Sequence, residues 1–126
     1  MSQRRIRISA GNVTAEAVLL DGGTADLLWN ALPITGKANT WGDEIYFSIP
    51  VKDKVRPEAK EIVEKGEIAY WAPGSAFCIF WGPTPVSLGS EIRPASEVNP
   101  LGKINGDASA FGAVRGGTEV KLEKIE

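Results

Sequence analysis

Lys65–Pro85 reads KGEIAYWAPGSAFCIFWGPTP. Two short apolar runs, Glu67–Ala72 and Ala76–Trp81, flank Pro73-Gly74-Ser75. Those three residues turn a chain tightly, because proline presets φ and glycine accepts positive φ. The stretch is therefore read as a β-hairpin. Gly82-Pro83-Thr84-Pro85 ends its second strand, since proline brings no N–H to a central ladder. Neighbouring side chains on a strand point to opposite faces, so Tyr70/Trp71 and Phe80/Trp81 each send one ring inward and one outward. A core needs one of each pair. The other covers a helix, lines a groove or lies exposed, and exposed aromatic area marks recognition.

The same period of two recurs on either side. Arg4–Ser9 alternates Ile6 and Ile8 with arginines, and Val13–Leu19 alternates Val13, Ala15, Ala17 and Leu19. With Gly11-Asn12 between them, they form an antiparallel pair. Ile34–Thr40 and Glu44–Ile49 pair across Trp41-Gly42-Asp43. In the latter strand Ile45, Phe47 and Ile49 face one side, while Glu44, Tyr46 and Ser48 face the other, which on spacing alone is a solvent face. Leu101–Ile104 and Thr118–Ile125 complete the strands, the last with Val120 and Leu122 inward. Pro57–Glu64 reads as a short strand or irregular turn, and Ser87–Val98 as a longer excursion. Val51–Arg56, charged and without a core pattern, reads as a surface loop.

Two helical pieces interrupt this pattern. Thr24 caps a short helix that Pro33 stops, with Leu27, Leu28, Ala31 and Leu32 toward the core and Trp29 packed. Asp107–Phe111 makes a turn or a single helical turn. Eight to nine short strands without a βαβ rhythm predict one mainly β domain over residues 1–126, closed or nearly closed into a barrel, which removes exposed strand edges.

Composition narrows the function classes. A net charge of −2 over 126 residues, with Arg4, Arg5 and Arg7 on the wet face of a strand, argues against a nucleic-acid partner. No apolar run approaches the roughly 18 residues of a membrane span. The segment containing Gln3, Arg4 and Arg5 lacks a signal peptide's apolar core. Cys78 is the lone cysteine, so a reducing cytoplasm is the expected setting. Histidine is absent altogether. That removes Ser-His-Asp and Cys-His catalysis and histidine metal ligation. Acid–base chemistry would fall to carboxylates, Lys, Tyr or Cys78, and no cluster has metal-ligand spacing.

Among the carboxylates Glu44 stands out, because a hydrophobic strand holds it beside Tyr46 and makes the pair a candidate site wall. Cys78, between Phe77 and Ile79, reads as buried and inert. The Gly22-Gly23 and Gly116-Gly117 pairs lack a P-loop lysine and read as turns.

The runs WGDEIYFSIPV (Trp41–Val51), GEIAYWAPGSAFCIFWGPTP (Gly66–Pro85) and EIRPASEVNPLGKI (Glu91–Ile104), together with ALP at Ala31–Pro33, resemble the cyclophilin-like family of small microbial proteins of unassigned function. The resemblance implies a closed, eight-stranded cyclophilin-type β-barrel with one or two short capping helices. It matches the family's characteristic residues at Glu44, Tyr46, Tyr70, Trp71, Phe80, Gly82, Pro83, Thr84 and Pro85. True cyclophilins isomerise X-Pro bonds with an arginine in a Phe-His-Arg context, which this histidine-free chain lacks, so no isomerase residue carries over.

The expectation is a module that binds an unknown small molecule or short peptide, with Glu44, Tyr46, Tyr70, Trp71, Phe80, Thr84 and Pro85 as its ligand-binding residues. No metal or cofactor is expected, nor any nucleic-acid or membrane partner. An enzyme using the same pocket is the alternative, either a weak peptidyl-prolyl isomerase or a carboxylate-dependent lyase or hydrolase. A third reading makes the aromatic rim a protein interface, with a homo-oligomer left open.

Overall fold

Alternation of large apolar and charged residues builds the first hairpin. In β1 (Arg5–Ala10), Ile6, Ile8 and Ala10 are buried while Arg5 and Arg7 stay in water. β2 (Val13–Leu19) pairs with it antiparallel, Ile8 opposite Ala15. The structure, a computed structural model, describes residues 4–125. Met1–Gln3 and Glu126, part of the expected 1–126 domain, lie outside the described residues.

The remaining strands are β3 (Ile34–Lys37), β4 (Asn39–Thr40), β5 (Glu44–Ser48), β6 (Glu67–Trp71), β7 (Ala76–Phe80), β8 (Asn99–Asn105) and β9 (Glu119–Ile125). They form one antiparallel sheet in the order β3-β9-β1-β2-β8-β6-β7-β5-β4. Nine strands appear among the described residues where the family resemblance implies eight, because Ile34–Thr40 is broken at Ala38. Its first part pairs with β9 and its second with β5, while the Ala38 amide donates to Thr118 O at 2.8 Å. The two ends of the sheet are thus successive pieces of one segment, and the sheet curls into a nearly closed barrel.

The interior takes the inward residues of every wall, among them Ile6, Ile45, Phe47, Ile68, Tyr70, Phe77, Ile79, Leu101 and Leu122. Phe47 and Phe77 meet with ring centroids 5.5 Å apart. A 3₁₀ helix, Ala108–Ala113, buries Phe111 in this core. A second apolar cluster lies on the other face of β5, β6 and β7, formed by Val63, Ala69, Ala76, Cys78, Phe80, Ile92 and Val98.

Helix α1 (Gly23–Ala31) plugs the barrel with Ala25 and Leu28. Two expectations about it are corrected. Leu27 is 38% exposed and lies away from the core. Thr24 is inside the helix rather than capping it, and the Asp26 carboxylate accepts from the Gly22 amide at 2.9 Å instead. The Thr24 hydroxyl is committed elsewhere, donating to Asp53 Oδ2 at 2.6 Å and accepting from Asn99 Nδ2 at 3.0 Å. Trp29 packs on the core, half-buried, with the Lys124 ammonium 4.7 Å from its ring centroid.

The 51–56 segment is also more than a surface loop. Val51 is buried in the core, and the segment is tied down by Asn99, whose Oδ1 accepts from the Arg56 amide at 2.9 Å and whose Nδ2 donates to Lys54 O at 2.8 Å. Polar pinning of this kind leaves no hydrophobic period to read. No helix among the described residues is long and apolar enough to cross a membrane.

Candidate functional site

Strands β5 and β7 pair so that Glu44 lies opposite Phe80 and Tyr46 opposite Cys78. With Ile45 and Phe47 committed to the core, alternation sends Glu44 and Tyr46 to the outer face of the barrel. Spacing alone made that face a solvent face. The structure corrects this: chain segments 57–64 and 87–98 fold over it, and Glu44 is only 5% exposed.

The cover is fastened at several points. Antiparallel bridges join Lys60 to Val98 and Val63 to Ile92. The Thr84 hydroxyl donates to Arg93 O, and Ser87 Oγ accepts from the Thr84 and Arg93 amides at 2.9 and 3.2 Å. Trp71 Nε1 donates to Ser96 Oγ at 2.7 Å. Between these anchors Pro94 and Ala95 overhang the sheet. A cavity of about 280 Å³ remains beneath them. Glu44, Tyr46 and Cys78 contribute from the sheet, Trp41 and Trp71 from the sides, and Pro94, Ala95 and Val98 from the cover.

Trp41 reaches the cavity because of a braced turn. Its amide donates to Glu44 O at 3.0 Å, the Asp43 amide donates to Pro83 O at 3.0 Å, and the Trp81 amide donates to Asp43 O at 3.0 Å. Gly42 there has φ +61°, and a Cβ on it would come within 2.8 Å of Pro85 Cδ and 2.9 Å of Thr84 Cα. The Gly82–Pro85 run is the rigid seat of that turn.

Burial dominates the electrostatics. It lifts Glu44 from an ordinary 4.5 to about 7, with the Cys78 thiol giving a smaller opposing hydrogen bond. None of the ion pairs among the described residues includes Glu44. Cys78 is held well above the usual thiol range, first by burial and then by the Glu44 charge. Near neutral pH the carboxyl therefore exchanges a proton readily, while the thiol keeps its own. No group of three potential ligands among the described residues is arranged to hold a metal.

The expected site residues divide by position. Glu44, Tyr46 and Trp71 line the cavity. Tyr70 points into the barrel core, where its hydroxyl donates to Val51 O at 2.7 Å and accepts from the Asp53 amide at 3.2 Å. Phe80 is fully buried in the outer cluster. Thr84 fastens the cover, and Pro85 supports the Gly42 turn. Neither lines the cavity. Sequence reasoning missed Trp41, Pro94, Ala95 and Val98. The Pro94-Ala95 pair lay in the quoted EIRPASEVNPLGKI run, so the signal was present without a partner surface to attach it to.

The family model described as cyclophilin-like matches residues 4–123. A hypothetical protein of Archaeoglobus fulgidus, known from a solution structure, superposes with a TM-score of 0.84 at 39% sequence identity, over 98% of this chain and 95% of that one. No curated protein matches the chain.

Proposed function

The chain belongs to the cyclophilin-like family, and we propose that it is a binding module for a small molecule or a short peptide, received in the cavity over β5 and β7. The observation that carries this reading is the placement of one buried carboxyl among three aromatic side chains, Trp41, Tyr46 and Trp71, under a fastened cover. Apolar walls with few polar groups are the usual make-up of a ligand site. At about 280 Å³ the cavity suits a small ligand, or one side chain of a peptide. A reducing cytoplasm suits the single buried thiol. The formal net charge of −2 favours a partner other than nucleic acid.

A thermal-shift screen tests this. A ligand at about one hundred times its Kd adds roughly 2.7 kcal/mol of stability, and Tyr46→Ala or Trp41→Ala should remove that gain while the protein still folds. Hits indifferent to both substitutions would move the site elsewhere. Phe80→Ala is a poor control, because emptying a fully buried ring position costs several kcal/mol by itself.

One observation favours a second reading, an enzyme using the same cavity. A carboxyl brought to about 7 is matched to proton transfer at neutral pH. Glu44→Gln should then abolish turnover and spare binding. For the isomerase version, a protease-coupled assay at the uncatalysed rate, tens to hundreds of seconds, sinks it.

A further inference from the structure

The cavity contains an acid and no base. No lysine or arginine lines it. Of the charged groups on the surrounding elements, Arg93 of the cover is held by Glu91 at 2.6 Å and Glu67 of β6 by Lys60 at 2.9 Å, while Asp43 of the turn and Glu61 and Glu97 of the cover are not among the residues that line it. Cys78 of β7 and Tyr46 of β5 are the other titratable side chains in its lining. A nearly buried carboxylate without a cation is costly, and the cost is relieved when a positive charge arrives. Aromatic faces also attract cations, most strongly when water is excluded.

We propose that the cavity binds a small organic cation, an amine or amidine whose charge meets Glu44 and whose body rests on Trp41, Tyr46 and Trp71. This rests on the binding-module reading and narrows it to one ligand chemistry. The carboxylate supplies charge-assisted hydrogen bonds, the rings supply contact area, and the cover keeps Glu44 largely out of water. A neutral ligand with only a carbonyl acceptor would instead select the protonated acid. The two ligand types therefore respond oppositely to pH. Cation binding requires ionised Glu44, so affinity falls as pH drops below about 7, approaching tenfold per pH unit, and levels off above it. Cys78 stays protonated throughout this range.

The test is tryptophan-fluorescence titration with benzylamine and benzamidine, each against its neutral isostere, benzyl alcohol and benzamide. At about pH 8 the cations should bind at least tenfold tighter, the scale of one charge-assisted hydrogen bond. Their advantage should shrink steadily towards about pH 5.5. Glu44→Gln should erase the preference while leaving the neutral compounds bound. If that variant fails to fold, the wild-type pH profile decides alone. Neutral compounds binding as tightly as the cations at about pH 8 overturn the cation proposal and leave the binding module standing. A cation preference that survives Glu44→Gln, or that shows no pH dependence, overturns it as well. If neither cations nor neutral isosteres bind, the cation proposal falls, and the binding-module reading is decided by the thermal-shift screen.

Discussion

The Trp71 indole nitrogen donates a 2.7 Å hydrogen bond to Ser96 Oγ. This bond couples the rim of the β6–β7 hairpin to the loop that overhangs the cavity. Trp71 is thereby both a wall and an anchor, and Gly74 leaves room for it, since a Cβ there would meet the indole ring at 2.8 Å.

Removing that bond tests the cover. Ser96→Ala should cost no more than about 1 kcal/mol of global stability, as the bond is solvent-accessible and neutral. It should nonetheless weaken ligand binding several-fold and shift Trp71 emission, because the loop loses its tie. Fluorescence titration and denaturant melts separate the two effects. Unchanged affinity would show that the cover needs no anchor at this point.

Glu44 should make stability fall with rising pH in a defined window. An acid whose pKa is higher in the folded protein holds its proton more tightly there. Its penalty is absent below the unfolded value near 4.5, grows between 4.5 and about 7, and is complete above. At about 1.4 kcal/mol for each pH unit, the full penalty is on the order of 3 kcal/mol. Comparing wild type with Glu44→Gln isolates it from other carboxylates, such as Asp107 and Glu91, whose lowered values act in the opposite sense at acid pH. The variant should gain on wild type as pH rises from about 5 to about 8, by urea denaturation. Parallel curves would contradict the burial described.

Cys78 should report on the cavity. Buried, and held in its protonated form, it should react with a disulfide reagent orders of magnitude more slowly than a free thiol at neutral pH. A bound ligand should slow it further. Labelling at the rate of an unfolded control would mean that the cover opens freely.

Asn99→Ala addresses the polar pinning of the 51–56 segment and helix α1. It strips partners from the Arg56 amide, Lys54 O and the Thr24 hydroxyl, so a loss of roughly 3 kcal/mol is expected. Chemical denaturation measures it. Affinity at the cavity should stay intact until the protein unfolds.

How far these features were legible depended on their physical origin. Period-two alternation set out β1, β2, β5 and β9 almost to the residue, because one face of each is sealed by the core. The hairpin's turn residues placed β6 and β7 equally well, and Cys78 was read correctly as buried. The break at Ala38 was hidden, since it comes from two different partner strands and not from a local turn signal. Thr24 looked like a cap because its hydroxyl chemistry is local in most chains, yet here it bonds to Asp53 and Asn99, both remote in sequence. Glu44 and Tyr46 could be singled out, but not the Pro94-Ala95 overhang above them. Alternation shows which face a residue takes and is silent about what later folds over it.

The split segment Ile34–Thr40 has a kinetic consequence. Closure of the ring waits for β9, which bonds both to β1 and to β3, more than one hundred residues after the first strand begins. A ribosome-bound chain lacking Glu119–Ile125 would carry β1 and β3 with open edges, and such edges invite pairing with other chains. With so many strand partners distant in sequence, folding should be slow for a protein of this length. The nascent chain is then most vulnerable to aggregation just before synthesis of its last strand.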